Sequence, residues 1–208
     1  MPGKFITLEG LDGAGKTTQL GWISDFLKQR GLALCVTREP GGTPLGEALR
    51  AMLLDAQQSL HPETEALLMF AARREHIDKV ITPALEQGAW VLCDRFSDAS
   101  FAYQAGGSDV DWKKIEILES WVQGELQPDI TFYFDVSPEV GQARARAIKA
   151  PDRYEQEHRD FHERTRAAYL RRAHEHPRRI HIVDANGGLP GVQAKLEEIL
   201  LSLCGEPG

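Results

Sequence analysis

Short apolar runs recur along the chain, separated by longer stretches in which apolar residues return every three or four positions. Five runs have the composition of β-strands, at residues 5–8, 34–37, 90–93, 130–134 and 180–183. Several of them are continuously apolar, which is typical of strands covered by helices on both faces. Because strands and helices alternate, we predict an α/β fold with a five-stranded parallel sheet, right-handed crossovers and three layers.

The periodic stretches between these runs predict the helices. They cover about residues 16–30, 44–55, 63–87, 111–123, 138–147, 154–176 and 190–203. The chain has 208 residues, of which 42% are hydrophobic, so it is long enough to bury one core. We therefore expect a single domain over residues 1–208. Ligands of such sheets gather where the strands end, so the residues that follow each strand are the first candidates for a binding site.

The segment GLDGAGKTTQ, residues 10–19, follows the first strand and opens the first helix. Its spacing, G-x-x-x-x-G-K-[ST], lets consecutive backbone N–H groups curve around an anion, because glycine has no Cβ. Lys16 is placed to reach β- and γ-phosphates and Thr17 to offer its hydroxyl to Mg²⁺. The positive end of the helix dipole points at the same charge. The alternative is a glycine-rich turn without a ligand, but the strand–loop–helix context favours a phosphate-binding P-loop.

Arginines follow two of the other strands. Arg38 follows the second strand, and Asp94 and Arg95 follow the third. A guanidinium at this edge can hold a phosphate with forked hydrogen bonds, and Asp94 can hold a magnesium-bound water or orient Arg95. Asp12 lies inside the P-loop, where a carboxylate would face phosphate, so we expect it to contact a hydroxyl or a metal instead. The alternative for the two arginines is an ordinary solvated loop.

The long helix over residues 63–87 carries an apolar stripe at Leu67, Phe70, Ile77 and Ile81, and Arg74 falls on that stripe. A charge in a core-facing row is costly unless it is paired or points into a pocket. We therefore predict that Phe70 and Arg74, one turn apart, line a cavity that suits a nucleobase. The alternative is that Phe70 belongs to the core and Arg74 extends to the surface.

The stretch ARARAIKAPDRYEQE combines clustered basic residues with a proline that interrupts helix formation. We predict a mobile basic lid over about residues 144–156, which closes over a migrating phosphoryl group and excludes water. A solvated charged segment is the alternative. The basic residues of the lid are Arg144, Arg146, Lys149 and Arg153.

Composition excludes several other classes. The formal net charge of −7 argues against a nucleic-acid surface. Cys35, Cys93 and Cys204 have no close spacing or matching histidine cluster, so a disulfide framework and a zinc site are both unexpected. No apolar run approaches 18 residues and no leader-like segment opens the chain, so we expect a cytoplasmic protein without a membrane span.

Five separated motifs, in order, resemble those of bacterial thymidylate kinases: GLDGAGKTTQ, REPGGT, LLMFAARR, DRFSDASFAYQ and DRYEQE leading into FHERTRAAYL. The resemblance extends from residue 4 to about residue 201. It implies a P-loop NTPase fold with strand order 2-3-1-4-5, and Mg²⁺-dependent transfer of the ATP γ-phosphate to dTMP. It also implies a homodimer. The helices over residues 63–87 and 111–123 are candidates to pair in it, but their apolar faces could equally pack on the sheet.

The resemblance also implies roles for the residues of the acceptor site. Phe70 would stack on thymine, and Arg74 would donate to its exocyclic oxygen. Ser100 and Gln104 would line the remaining polar edge of the base. Tyr103 would press on the sugar where a ribose 2′-hydroxyl would lie. The predicted substrate-binding residues are Asp12, Arg38, Phe70, Arg74, Arg95, Ser100, Tyr103 and Gln104.

The phosphates and the metal have their own predicted contacts. By the same resemblance, Arg38 and Arg95 would hold the monophosphate, Asp12 would address the sugar 3′-hydroxyl or the metal region, and adenine would lie near Arg144 and residues 184–186. Thr17 and Asp94 are the predicted contacts of the metal. The predicted ATP-binding residues are Gly10, Leu11, Asp12, Gly13, Ala14, Gly15, Lys16, Thr17, Thr18 and Arg144.

One branch of the family carries a basic residue inside the P-loop, but this chain has Gly13 there. The lid would then supply the cation that meets the transferred phosphate, with Arg153 as the first candidate and Arg146 as the second. Some relatives carry a third arginine in this run where the chain has Ile148. The predicted catalytic residues are Lys16, Asp12, Arg95, Arg153 and Arg146.

Two other functions compete with this hypothesis. Guanylate, adenylate or deoxynucleoside kinases use the same scaffold, and Tyr103 and Gln104 are among the residues that would distinguish them. A nucleotide-switch protein would need a guanine-selecting N-K-x-D sequence or switch loops, and neither is present.

Overall fold

The structure, a computed structural model, describes residues 3–147 and 152–205. The β-strands follow the predicted apolar runs closely. They are β1 (Phe5–Glu9), β2 (Leu34–Arg38), β3 (Trp90–Asp94), β4 (Ile130–Asp135) and β5 (Ile180–Asp184).

Helices connect the strands and cover the sheet. They are α1 (Lys16–Gln29), α2 (Pro44–Leu54), α3 (Pro62–His76), α4 (Thr82–Glu86), α5 (Ser97–Ser100), α6 (Trp112–Gln123), α7 (Pro138–Arg146), α8 (Arg159–Glu175) and α9 (Leu189–Cys204). Two π-helical segments, Ile77–Ile81 and Phe101–Gly107, continue α3 and α5.

All strand pairs are parallel, and the order across the sheet is β2-β3-β1-β4-β5. The predicted fold class and strand order are therefore confirmed. In the central strand, Leu8 pairs in register with Asp94 on one side and Phe132 on the other. This arrangement brings the P-loop after β1 beside the residues that end β3, at the edge where ligands of parallel sheets bind.

Apolar side chains fill both sides of the sheet, which explains the continuous apolar runs. On one side Ile23 and Leu27 of α1 and Leu196 of α9 pack on the sheet, and all three are fully buried. On the other side Phe70 of α3 and Ile115 of α6 pack against β1 and β3. The two layers fix α1 and α3 relative to the strand ends and so position the residues of the site.

The helices differ from the sequence prediction in three places. The helical segment over residues 97–107 follows β3 directly and was not predicted. The helix predicted over residues 63–87 is interrupted by a π-helical segment, and the one predicted over 154–176 begins only at Arg159. Ile148, Lys149 and Pro151 of the predicted lid lie outside the described residues.

Within the two described ranges, none of the helices combines the length and the apolar character that a bilayer crossing requires.

Candidate active site

The P-loop folds tightly between β1 and α1. Gly13 and Gly15 have φ angles of 76° and 89°, in the left-handed region that favours glycine. A Cβ on Gly13 would lie 2.0 Å from the carbonyl oxygen of Gly141. A basic side chain at this position would therefore displace the start of α7, which explains why the loop carries no second cation.

Lys16 lies inside the loop with its ammonium group almost fully buried. Its Nζ donates to the carbonyl oxygens of Gly10 and Leu11, both at 3.0 Å, and lies 3.9 Å from Asp12 Oδ1. Burial lowers the pKa of Lys16, and the positive charge of Arg95 lowers it further. Thr17 and Thr18 are exposed at the start of α1. The loop thus concentrates a positive charge, hydroxyl groups and N–H groups at one point.

Arg95 holds the turn that follows β3. Its φ of 72° is uncommon for a residue with a side chain. Its guanidinium donates to Gly10 O at 3.0 Å, Tyr169 Oη at 3.2 Å, Asp12 Oδ1 at 2.9 Å and Tyr103 Oη at 3.1 Å. The side chain is therefore fixed beside the P-loop before any ligand binds.

Two further arginines accompany Arg95. Arg38 is half exposed and pairs with Glu47 at 2.8 Å, and Arg50 of α2 donates to the carbonyl oxygen of Pro40 at 3.0 Å. Burial lowers the pKa of Arg50, and the charges of Arg38 and Arg95 lower it further. Three guanidinium groups that repel one another around one cleft are suited to bind an anion.

Two cavities open at this edge of the sheet. The larger has a volume of about 800 Å³ and is lined by the P-loop, Arg38, Asp94, Arg144 and the start of α9. It is called the donor cleft, after the nucleotide that the sequence predicts for the P-loop. The smaller, called the acceptor cavity after the second predicted nucleotide, has a volume of about 100 Å³ and lies between α2, α3 and the segment after β3. The residues that line both cavities are Asp12, Glu39, Arg50 and Arg95.

The acceptor cavity has one wall from α3 and another from the helical segment after β3. Met69 and Arg73, one helical turn apart, form the first wall. The second wall is formed by Ser100, Tyr103 and Gln104, all of them predicted site residues. The Arg73 guanidinium donates to Ser100 Oγ at 3.1 Å and so joins the two walls.

The prediction that Phe70 and Arg74 line a cavity together is wrong in this structure. Phe70 is buried in the core between α3 and the sheet, and 52% of the Arg74 side chain is exposed, where it binds Val122 O and Asp78. The buried stripe runs through Ala66, Phe70, Arg73 and Ile77. Leu67 lies off this stripe and is 54% exposed. The arginine on the buried face is therefore Arg73, one position earlier.

Arg73 is held by a chain of buried polar groups. Its Nε donates to Glu39 Oε2 at 2.7 Å, and His76 Nδ1 lies 2.9 Å from Glu39 Oε1. The other ring nitrogen of His76 is hydrogen-bonded to Thr37 Oγ1 at 2.7 Å. These contacts satisfy the charge that makes burial of an arginine costly, and they fix Arg73 toward the acceptor cavity.

The predicted lid residues divide between three places. Arg144 lines the donor cleft and donates to Ala185 O at 2.8 Å, beside the loop predicted for adenine. Arg146 lines a small cavity together with Asp12. Arg153 pairs with the buried Glu65 and donates from Nε to Leu53 O at 3.0 Å. The structure therefore does not bring Arg153 to the P-loop, because Glu65 supplies the counter-ion that holds it elsewhere.

A buried carboxyl group lies beneath Arg95. Glu9 Oε1 accepts from the backbone N–H of Phe96 at 2.7 Å, and Oε2 accepts from Tyr169 Oη at 2.8 Å. Burial, reinforced by the charge of Asp98, raises the pKa of Glu9 to about 8. The bond to Phe96 stabilises the backbone next to Arg95, so Glu9 supports the strained turn.

Sequence reasoning missed Met69, Arg73 and Arg50. The stripe through Ala66 and Phe70 was a signal for Arg73, because steps of four and three residues from Ala66 reach it. Met69 then follows as its neighbour one turn earlier on the same face. No local pattern singles out Arg50, whose role depends on the packing of α2 against the segment after β2.

Comparisons with known proteins identify the family of this chain. The family model described as thymidylate kinase matches residues 8–196. The thymidylate kinase of Nitrosospira multiformis is 59% identical over 203 residues, which make up 98% of this chain and 99% of that protein. The thymidylate kinase of Cupriavidus taiwanensis is 53% identical over 205 residues, 98% of this chain and all of that protein.

A solved structure is similar over nearly the whole length. The crystal structure of thymidylate kinase from Ehrlichia chaffeensis aligns with a TM-score of 0.78 and 34% identity, and the alignment covers 96% of this chain and 99% of that one. The matches in sequence and fold extend over nearly the whole chain, and the chain therefore belongs to the thymidylate kinase family.

Proposed function

We propose that this protein transfers the γ-phosphoryl group of ATP to dTMP, giving dTDP and ADP. The observation that carries this function is the wall shared by the two cavities. It consists of Asp12, Glu39, Arg50 and Arg95. Nucleotides bound on either side would meet with their phosphates at this wall. Membership of the thymidylate kinase family makes dTMP the acceptor and ATP the donor.

The larger cavity suits the donor. Its volume is within the range of small-molecule sites, and it contains the P-loop with Lys16, Thr17 and Thr18. We place the triphosphate there, on the loop N–H groups and the start of α1. Adenine would lie near Arg144 and the loop that contains Ala185, Gly187 and Gly188, all of which line the same cleft.

The smaller cavity suits the acceptor. We place the base between Met69 and Arg73 on one side and Ser100 and Gln104 on the other, with Tyr103 beside the sugar. This placement replaces Phe70 and Arg74 by their neighbours on the helix. The monophosphate would lie at Arg38, Arg50 and Arg95, and the sugar 3′-hydroxyl near Asp12.

The residues present fit a bound Mg²⁺ that retains water and phosphate ligands. Asp94 Oδ1 is buried and has no hydrogen-bond partner among the described residues, and it lines the donor cleft together with Thr17. Residues 3–147 and 152–205 contain no group of three or more His, Cys, Asp or Glu side chains placed to hold a metal, and Mg²⁺ typically needs only one or two protein carboxylates beside substrate phosphates. Bound Mg²⁺ would neutralise charge on the β- and γ-phosphates.

We propose direct in-line transfer. An oxygen of the acceptor phosphate forms a bond to the γ-phosphorus as the bond to the β–γ bridging oxygen breaks, with no covalent enzyme intermediate. Lys16 and Arg95 stabilise the charge on the transferred group, and they need little reorganisation because both are already fixed by hydrogen bonds. Of the two lid cations, Arg146 is the better candidate to join them, because it shares a cavity with Asp12.

A coupled assay that follows ADP formation tests this function. With ATP as donor we expect dTMP to be the best acceptor, dUMP to be used less well, and dGMP and unphosphorylated thymidine to be used poorly. A preference for thymidine would show that the smaller cavity does not receive a monophosphate and would overturn the proposal.

Because Arg73 rather than Arg74 lies on the buried face of α3, replacing these two arginines should have different effects on catalysis and stability. Arg73→Ala should lower kcat/KM for dTMP by about 10²-fold, mainly through KM, because a hydrogen-bonding group of the base site is lost. It should also lower the free energy of unfolding by about 3–5 kcal/mol, because Glu39 stays buried without its cation. Arg74→Ala, the matched control, should change kcat/KM less than about twofold, since its ion pair is exposed.

Steady-state kinetics and thermal unfolding of the two variants check this prediction. A larger loss of dTMP affinity in Arg74→Ala than in Arg73→Ala would contradict the corrected placement.

We also propose that the chain is one domain whose basic lid, around residues 144–156, closes during the reaction. A location in the cytoplasm remains a prediction from the sequence.

We further propose a homodimer that forms through α3 and α6. Contacts of Glu63 with Lys114 and of Arg74 with Val122 hold these helices side by side. Between these contacts Leu67, Ile117 and Trp121 are 54%, 65% and 79% exposed, respectively. Such exposed apolar side chains on adjacent helices are typical of an interface, and a second copy would cover them in a twofold arrangement.

The variant Ile117→Glu/Trp121→Glu tests the dimer, because buried carboxylates would oppose association. In sedimentation experiments at micromolar concentration, the wild type should behave as a dimer and the variant as a monomer. Ile182→Glu, which changes an exposed apolar residue on β5, should remain dimeric. A wild type that sediments as a monomer at every concentration would contradict the proposal.

A further inference from the structure

Glu65 is a buried carboxylate on α3 that none of the roles above uses. Its side chain is 2% exposed and lies one turn before Met69, behind the wall of the acceptor cavity. Its two oxygens have separate partners. Oε1 accepts from Gln104 Nε2 at 2.8 Å, and Oε2 pairs with Arg153 Nη2. A buried charge with two fixed partners can determine how each of them is oriented.

The contact with Glu65 determines which way the Gln104 amide points. A carboxylate oxygen can only accept hydrogen bonds, so the NH₂ group of Gln104 must face it. The same NH₂ group also lies 3.4 Å from Tyr154 Oη, so both of its hydrogens are directed at protein oxygens. The carbonyl oxygen is then the hydrogen-bonding group that Gln104 can offer to a ligand in the cavity that it lines.

An acceptor at this position distinguishes two classes of pyrimidine. Thymine and uracil carry an N–H donor at ring position 3, whereas cytosine has an unprotonated nitrogen there and can only accept. A site that offers a fixed acceptor binds the first class and leaves the second with two acceptors facing each other. Discrimination of this kind is strong, because the penalty is an unpaired polar group in a buried site.

We propose that Glu65 is a positioning residue that makes the acceptor site selective for pyrimidines with an N–H at ring position 3. It acts by holding the carbonyl oxygen of Gln104 toward the base. The inference rests on the proposed placement of the base beside Gln104.

Arg153 completes the arrangement. Its charge offsets the cost of burying Glu65, and its Nε donates to Leu53 O at 3.0 Å, which fixes the guanidinium. Arg153 is only a donor. If residue 65 became glutamine, Arg153 would therefore bind the amide oxygen, and the new NH₂ group would face Gln104. The Gln104 amide would then have to turn its oxygen toward residue 65 and its NH₂ group toward the base.

The variant Glu65→Gln tests this mechanism with two matched acceptors, dTMP and 5-methyl-2′-deoxycytidine monophosphate, which differ only at the ring edge. The wild type should favour dTMP strongly in kcat/KM. In Glu65→Gln the ratio of the two kcat/KM values should fall by at least about tenfold, because use of the cytosine analogue improves while use of dTMP declines. An unchanged ratio in a folded Glu65→Gln variant would overturn the proposal.

Two further variants distinguish an error in the role of Glu65 from an error in the placement of the base beside Gln104. Arg153→Lys keeps a positive charge beside Glu65 but loses the planar guanidinium, and the Glu65 carboxylate still faces Gln104, so the ratio should stay in favour of dTMP. Gln104→Ala should bring the kcat/KM values for dTMP and the cytosine analogue closer together. The double variant Glu65→Gln/Gln104→Ala should show the same ratio as Gln104→Ala alone. If Gln104→Ala leaves the ratio unchanged, the placement of the base itself is wrong. If Gln104→Ala narrows the ratio and Glu65→Gln does not, only the role of Glu65 is wrong.

A measurement on the wild type covers the case in which Glu65→Gln does not fold. With ¹⁵N-labelled glutamine, the side-chain NH₂ hydrogens of Gln104 should exchange slowly with solvent both without ligand and with dTMP bound. Rapid exchange in both states would show that Glu65 does not hold them, and would overturn the proposal.

Discussion

Replacing Lys16 by alanine is expected to lower kcat by about 10³-fold or more, with a smaller effect on KM for dTMP. The ammonium group is buried inside the P-loop and held by two carbonyl oxygens at 3.0 Å, so its charge is fixed where the β- and γ-phosphates would lie. Fixed charges in a site that excludes water contribute most to stabilising phosphoryl transfer. A 10³-fold loss corresponds to about 4 kcal/mol of transition-state stabilisation.

The same substitution should not destabilise the fold. Because burial lowers the pKa of Lys16, the folded protein binds this proton less tightly than the unfolded chain does. Its charge therefore opposes folding at neutral pH, and the penalty shrinks as pH rises through the lowered pKa toward the ordinary value. Alanine removes this penalty together with the two hydrogen bonds to Gly10 O and Leu11 O, so the Tm of Lys16→Ala at neutral pH should stay close to that of the wild type.

Steady-state kinetics and thermal unfolding of Lys16→Ala check the expected loss of kcat and the expected Tm. Lys28→Ala, at an exposed position of the same helix, is the control. The control should match the wild type in turnover. If Lys16→Ala keeps more than a tenth of the wild-type kcat, the proposed role of the P-loop lysine is wrong.

Replacing Arg95 by alanine is expected to lower kcat/KM for dTMP by about 10³-fold. The guanidinium lines both cavities and makes four hydrogen bonds that fix its position. Both acceptor binding and the charge on the transferred group depend on it, so KM should rise and kcat should fall. Arg95→Lys should recover only part of the activity, because an ammonium group keeps the charge but loses the forked geometry.

The backbone at this position supplies an independent check. At a φ of 72°, glycine avoids a strain that alanine retains. Arg95→Gly and Arg95→Ala should therefore be equally inactive, while the glycine variant is more stable by about 1 kcal/mol in denaturant unfolding. Full activity of Arg95→Lys, or a defect in Arg95→Ala confined to the KM for ATP, would contradict the placement of Arg95 between the two nucleotides.

The strands and the P-loop could be predicted from the sequence because their signals are local. A continuous apolar run gives a buried strand wherever it packs, and the glycines of the loop permit φ angles that other residues avoid. The structure places β1 and the loop at Gly13 and Gly15 as this reasoning requires. The arginine that follows β3 could be found in the same way, because strand ends of a parallel sheet share one edge.

The side chains that α3 turns toward the acceptor cavity could not be predicted as reliably. An error of one residue in the assumed buried stripe changes which residues face the cavity. Both Arg73 and Arg74 are compatible with a period of 3.6, depending on whether the step back from Ile77 is four residues or three. Ala66, rather than the larger Leu67, occupies the buried position at the start of α3. Burial of a small residue is a weak signal in the sequence, yet here it indicates which residues of α3 face the core.

Contacts between elements that are far apart in the chain could not be predicted from the sequence for a different reason. Glu65 meets Gln104 and Arg153 across 39 and 88 positions of the chain. Arg50 joins Arg38 and Arg95 in lining one cleft through the packing of α2. No spacing rule connects such residues. The prediction that Arg153 acts at the P-loop was reasonable from its place in a basic run, but it could not foresee a buried counter-ion on α3.

The two side chains on the α3 wall of the acceptor cavity differ in how readily they move. Arg73 is tied to Glu39, Phe96 O and Ser100 by three hydrogen bonds, whereas Met69 has an unbranched thioether with freely rotating bonds. A bulkier ring substituent on an inhibitor could therefore displace the Met69 side chain more easily than the Arg73 side chain. A pyrimidine ligand bound as proposed would therefore find more room on the Met69 side of this wall than on the Arg73 side.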